Sequence, residues 1–380
     1  MIVQHFLKWI DTARVSERAA AASALARAYV ATELSFEDQC AAEAALTLLL
    51  DDPSPKVRRA LAESLSFSPR APSQIIHALS CDQPEVAAMV ILRSPLLSDG
   101  DLVDRVAAGD EAVQRLVARR PVVSMSLSAA IAEVGEAAAC VELLVNAGAD
   151  IASLSFTRIA ERHGHVPAVR EAMLDDRRLS AGTRHMLLVK LGEALQTSPL
   201  VQALMGKTRA ERVTRDACLK ASLTLIERTP GEEHAALVGH LRLRGDLTPG
   251  FVVRAIAHGK IDFFGAVLVS LSGQEASRVR ALLASGRDVA ILALLRAAGL
   301  PGNMHQVLLA ALKIWRDVAN GGRIAGAQEV SWLMLKHLNA APGQAGPGDG
   351  DAALAGLLKT IHMDALRENA RGHALAIAAA

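Results

Sequence analysis

Apolar positions recur along this chain at three- and four-residue spacing, in blocks of roughly 8 to 19 residues parted by very short polar breaks, the pattern of amphipathic helices joined as hairpins. Four times a Ser or Thr stands directly before Pro at the head of such a block: Ser54-Pro55, Ser198-Pro199, Thr229-Pro230 and Thr248-Pro249. The hydroxyl can cap a backbone N–H, and proline at the first helical position gives up an N–H that has no helical partner there, so each pair predicts a helix start. Capping-box spacing predicts further starts at Ser35 with Asp38, Ser98 with Asp101 and Thr208 with Glu211. Gly148, Gly245, Gly259, Gly286 and Gly299 follow Ala- or Leu-rich runs and predict stops.

The blocks repeat. In LTLLLDDPSPKVRRALAESL, from Leu46 to Leu65, one helix ends at an Asp, a proline-bearing turn follows, and the next helix opens at Val57-Arg58. Val57, Val86, Val113, Cys140 and Val169 are separated by 27 to 29 residues, the length of one compact helix pair. A single pair cannot bury its own apolar face, so the period predicts an all-α fold, an α-solenoid of stacked antiparallel helix hairpins.

Organisation along the chain follows. Residues 1–205 read as the repeat array, and residues 206–340 as a divergent helical-repeat region continuing the stack. The run APGQAGPGDGD at residues 341–351 reads as a flexible Gly/Pro linker. Residues 352–380 form a C-terminal amphipathic helix and tail, with Leu354, Leu357, Leu358, Ile361 and Leu366 on or near one face. Capping the open end of the stack is the expected fate of this helix; packing on a second copy, giving a homo-oligomer, or on another partner are the alternatives.

Composition sharpens the helical reading. Hydrophobic residues reach 51% but aromatics only 3%, so the core is built from alanine and leucine, which favour helices over pleated strands. The 41 basic and 40 acidic residues nearly cancel, which argues against a chain whose main task is gripping nucleic acid. Cys40, Cys81, Cys140 and Cys218 form no CxxC pair and read as buried, reduced thiols. Residues Met1 to Asp11 lack the basic start, long apolar run and cleavage site of a secretion signal. No apolar run reaches the roughly 18 residues of a membrane span, so no membrane partner and a cytoplasmic address are expected.

Candidate chemistry is sparse. Arg59, Arg115, Arg119 and Arg120 make a possible partner-binding stripe if equivalent helices share one side, suited to a carboxylate, a phosphate or an acidic partner. The alternative for Arg119 and Arg120 is a helix C-terminus before Pro121, where cations relieve the dipole. Glu161, His163 and His165 crowd three potential metal ligands into five residues, but around Gly164 they read as an inter-helix turn, and no metal is expected. His234 and His240 read as helix-surface residues. Gly206-Lys207-Thr208 copies the end of a phosphate-binding loop, yet Val201 stands where the earlier glycine belongs. Trp9, Trp315, Trp332, Phe263 and Phe264 read as core. No catalytic motif and no cofactor site emerge.

The stretch LLLDDPSPKVRRALAESL resembles the HEAT repeat, with Asp52, Val57 and Arg58 where that family keeps Asp, Val and Arg. The resemblance implies that Asp52 and Arg58 are structural and link adjacent repeats; Ala87 and Gln114 stand in the arginine's place in the following units. Further on, LTPGFVVRAIAHGKIDFFGAVLVSLSG and the later AAGLPG, within Leu247 to Gly302, are similar to an alphaproteobacterial family of HEAT-like proteins catalogued as a domain of unknown function. That resemblance implies a helical fold and supplies no activity.

Two functions fit such a chain. The first is a non-catalytic protein-interaction scaffold or regulatory binding module using the solenoid surface, its partner another protein. The alternative is a DNA-binding or DNA-base-repair enzyme, since some HEAT-like proteins are alkylpurine DNA glycosylases; the near-neutral charge weighs against it.

Overall fold

The computed structural model describes residues 9, 10, 12–340 and 349–379. Among these the chain is helical throughout, with no strand and a single isolated backbone bridge between Val123 and Ala149. Helix starts fall largely where the side chains place them. Ser35 and Ser98 each accept a hydrogen bond from the backbone N–H three residues on, and the Asp101 carboxylate in turn accepts one from Ser98 N–H. Thr248 caps Phe251 N–H, with Pro249 opening its helix. Ser54 and Ser198 stand before helices opened by Pro55 and Pro199 without making a side-chain cap.

Two expected starts differ. Thr208 lies inside a helix that begins at Lys207, because Gly206, at φ +78°, makes the sharp entry that a capping residue would otherwise mark. Thr229 ends that same helix, its hydroxyl bonding back to Leu225 O; Pro230 leads into a short 3-10 turn, and the next helix opens at His234.

The chain divides into two compact units, residues 1–179 and 180–380. The first holds eleven helices among its described residues: α1 (Val15–Ala31), α2 (Phe36–Leu50), α3 (Pro55–Leu65), α4 (Ser73–Ser80), α5 (Pro84–Arg93), α6 (Asp99–Ala108), α7 (Glu111–Ala118), α8 (Met125–Val134), α9 (Ala137–Val145), α10 (Ser153–His163) and α11 (Pro167–Asp175). Alternate helices pack side by side: α1 on α3, α3 on α5, α5 on α7, α7 on α9 and α9 on α11 form one row. Contacts of α2 with α4, α6 with α8 and α8 with α10 build the other. The repeating residues Val57, Val86, Val113, Cys140 and Val169 sit on α3, α5, α7, α9 and α11, near the start of each helix of one row. All but the half-buried Val113 are fully buried. On α3 the buried set Val57, Leu61, Ala62 and Leu65 has the i, i+4, i+5, i+8 spacing of one helix face.

Ion pairs join the row. Arg18 of α1 grips both carboxylate oxygens of Asp52 at 2.7 and 3.1 Å, and Arg58 of α3 does the same to Asp82 at 2.6 and 2.9 Å. Asp52 turns its remaining capacity to Ser54 N–H, 2.9 Å away, ordering the turn before Pro55.

The second unit comprises α12 (Ala181–Thr197), α13 (Pro199–Met205), α14 (Lys207–Arg228), α15 (His234–Arg244), α16 (Pro249–Ala257), α17 (Ile261–Ser272), α18 (Ala276–Ser285), α19 (Asp288–Ala297), α20 (Gly302–Ala319), α21 (Ala327–Ala340) and α22 (Asp349–Ala379). Its core centres on Phe263, Phe264, Val253, Ile256, Leu295 and Leu308. The C-terminal helix begins at Asp349, inside the stretch read from sequence as linker; residues 341–348 lie outside the described residues. Leu354, Leu358 and Ile361 are buried in the core of this unit, where α22 packs on α16, α20 and α21, so the face expected to cover a neighbour covers its own unit.

Candidate functional site

Burying a helix end leaves carbonyls that need donors, and in this chain arginine supplies them repeatedly. Arg120 follows α7 and is 8% exposed; its guanidinium donates to Ile91 O and to Ser94 O, the last carbonyls of α5. Arg162 donates to Ala132 O and Gly135 O at the end of α8, both at 2.9 Å, and Arg170 to Gly164 O and His165 O. In the second unit Arg316 of α20 donates to Leu282 O, Leu283 O and Gly286 O, at 2.5 to 3.0 Å, closing the end of α18. Burial pushes the pKa of Arg120 below its ordinary value, with the nearby Asp99 opposing the shift.

The four arginines singled out from sequence have different settings. Arg115 and Arg119 converge on one carboxylate, Glu142 of α9, whose pKa their hydrogen bonds hold below its ordinary value. Arg59 is exposed and pairs at 2.9 Å with Glu63 of its own helix. Arg120 is buried at its carbonyls. Each of the four therefore already holds an oxygen of this chain.

The other polar groups do not converge. His163 bonds Gly135 O at 2.9 Å, Glu161 pairs with Arg158, and no group of three His, Cys, Asp or Glu among the described residues is placed to hold a metal ion. His234 is buried against Phe263 rather than displayed on the surface. His185 and His240 meet edge to face with ring centres 5.5 Å apart, and burial drives the pKa of His185 down to about 4. Phe263 and Phe264 are core. Trp9 and Trp332 are substantially exposed, and Lys336 lies over the Trp332 ring.

A cleft with a volume of about 930 Å³ lies within the second unit, among α15, α17, α18 and α20. It exists because the helix faces that meet there carry small residues: Gly265 and Ala266 on α17, Ala276 and Ala284 on α18, Ala319 on α20. A side chain at Gly265 would meet Leu283 at 3.3 Å, so this glycine lets α17 and α18 approach. Ile261, Val269, Val279, Leu283 and Leu312 make the walls apolar. Trp315 completes one side, its indole N–H donating to Ile256 O at 2.7 Å, and its ring lies over Gly259, which at φ +75° leaves the ring space that a Cβ would fill at 3.0 Å. Asp262, Arg280 and Asn320 stand exposed on the rim. Arg316, bound to the end of α18, holds two walls together. A volume in this range with largely apolar walls falls within the size of small-molecule and side-chain pockets, and His234, Asp262, Ser270, Arg280, Arg316 and Asn320 are the polar groups of its lining.

Sequence reading passed over this cleft and over Arg162, Arg170 and Arg316. The available signal was the pair of small residues Gly265-Ala266 following Phe263-Phe264.

A family model described as an uncharacterised protein conserved in bacteria (DUF2336) matches residues 86–345, a span that contains the whole cleft and the Arg115–Glu142 contact. No curated protein and no solved structure matches the chain.

Proposed function

Because the chain belongs to the DUF2336 family, uncharacterised proteins conserved in bacteria, we propose a function from its own surfaces: it is a non-catalytic, HEAT-like helical-repeat binding module that engages another protein through the apolar cleft of its second unit. The two rows of alternating helices in the first unit support a solenoid arrangement, in which each pair covers its neighbour's apolar face. The cleft carries the functional reading: about 930 Å³ of space, apolar walls and a charged rim suit the insertion of apolar side chains from a partner. The arginine stripe supports it by contrast. Arg115, Arg119 and Arg120 are held by this chain's own oxygens, which leaves a DNA backbone little to gain from them and favours the protein partner over the base-repair reading.

The test places a photo-crosslinking residue at Ala284, exposed at the cleft, and at the exposed Arg59 as a control. A discrete protein adduct from position 284 that is absent from position 59, and that Ala276→Trp abolishes by filling the cleft, is the expected result. Equal adducts from both positions, or adducts untouched by Ala276→Trp, overturn it.

A further inference from the structure

The hairpin of α12 and α14 carries a surface of a different kind. Between its two helices runs α13, seven residues with none buried, tied to α14 through Gly206. Leu200 is 68% exposed, Leu204 75%, Met205 36% and Val213 46%, and Leu191 and Leu195 of α12 are exposed too. Four side chains of this size in so short a stretch form an apolar patch that nothing in the described chain covers. Cations accompany them: Lys207, Arg209, Arg212 and Arg215, all exposed, form no ion pair among the described residues. That sets this tip apart from the first unit, where the arginines discussed above are consumed by carboxylates and carbonyls. Two acids, Glu211 and Asp216, share the stretch and leave it with a basic excess.

We propose that this tip docks on the surface of an anionic lipid bilayer, with Leu200, Leu204 and Val213 entering the boundary between headgroups and acyl chains and Lys207, Arg209, Arg212 and Arg215 meeting lipid phosphates. The combination selects the occupant. A second copy of the chain would bring two basic patches face to face. A nucleic acid would neutralise the cations but leave the leucines in water. A partner helix wants a groove, and the exposed leucines stand on α13, which has no buried residue, outside the cleft between α12 and α14. A bilayer surface satisfies both halves, apolar insertion and cationic contact with anionic headgroups. The expectation of no membrane partner rested on the lack of a spanning segment, and none of the described helices is long and apolar enough to cross a membrane; a surface contact needs none.

The experiment is co-sedimentation of the full chain with vesicles of phosphatidylcholine alone and of phosphatidylcholine with one-third phosphatidylglycerol, at low and high salt. Wild-type protein is expected to bind the anionic vesicles at low salt and to leave them at high salt. Leu200→Ser with Leu204→Ser, and separately Arg209→Glu with Arg212→Glu, are each expected to weaken binding at least tenfold. All four positions are exposed, and circular dichroism of each variant is the check that it stays folded. No binding to anionic vesicles at low salt overturns the proposal. So does retention by the leucine variant when duplex DNA competes with the vesicles, which assigns the cations to a polyanion. A wild-type dimer that the leucine variant converts to monomer, seen by light scattering, also overturns it and assigns the patch to a second copy.

Discussion

Arg58 reaches Asp82 in the turn before α5 with two parallel hydrogen bonds, 2.6 and 2.9 Å, while its third nitrogen donates to Asp52 O at 2.5 Å. One guanidinium thus ties together the ends of three helices: the loop after α2, its own α3, and the entry to α5. Its neighbour Arg59, one residue on, points to solvent and pairs along its own helix. Arg58→Ala is expected to lower the unfolding free energy by about 2 kcal/mol, because it removes charge-assisted bonds and strands a half-buried carboxylate. Arg59→Ala should change it by no more than about 0.5 kcal/mol. Urea unfolding of the two variants in parallel measures the difference.

Arg316 offers the matching case in the second unit. Its three bonds to the end of α18 need a planar fork of donors, which lysine does not have. Arg316→Lys is therefore expected to recover less than half of the roughly 3 kcal/mol lost in Arg316→Ala. Full recovery by lysine, seen in the same unfolding curves, would show that charge alone holds the cleft wall.

His185 gives the second unit a pH dependence. Burial, opposed by Asp246 and reinforced by His240 and Arg244, holds its pKa at about 4 against an ordinary value of 6.5. Below pH 6.5 the unfolded chain takes up a proton that the folded chain refuses, so stability present at neutral pH is lost as pH falls toward 4, by an amount on the order of 3 kcal/mol. The pKa of His240 is shifted the same way by its burial and adds to the slope. Unfolding free energies at pH 7.0, 5.5 and 4.5 should fall steadily in the wild type and less steeply in His185→Leu; parallel slopes would contradict the assignment.

The four cysteines should separate by accessibility. Contrary to the expectation of four buried thiols, Cys40 and Cys81 are exposed and Cys218 is half-buried, whereas Cys140 is buried on α9 and that burial pushes its pKa up to about 11. Rapid native labelling by a maleimide is expected at Cys40 and Cys81, with Cys140 protected until urea is added. Mass mapping of the modified peptides reads this directly, and fast native labelling of Cys140 would contradict the packing of α7 on α9.

Much of this architecture was legible in the chain because it is written in local chemistry. The recurrence from Val57 to Val169 located one buried row, and the spacing of Leu354, Leu358 and Ile361 located the face of α22. Long-range closure was less legible. Arg120 reads as an ordinary helix-end cation, since the carbonyls it satisfies, Ile91 O and Ser94 O, lie 29 and 26 residues earlier. Glu142, shared by Arg115 and Arg119, could not be paired from spacing alone. Thr208 and Glu211 have the interval of a capping box, but the interval carries no record of the positive φ at Gly206 that begins the helix sooner. The cleft was hardest to see, because it is made by the smallness of Gly265, Ala276, Ala284 and Ala319 on three different helices, and in sequence these resemble any alanine-rich helix face.

The binding role of that cleft can be measured directly with an anilinonaphthalene sulfonate probe, titrated into wild-type protein and into Ala276→Trp while unfolding curves confirm equal stability. Saturable one-to-one enhancement of probe emission in the wild type, weakened at least tenfold by Ala276→Trp, is the result expected of an apolar site in the second unit. Equal binding by both proteins, or none by the wild type, would contradict it.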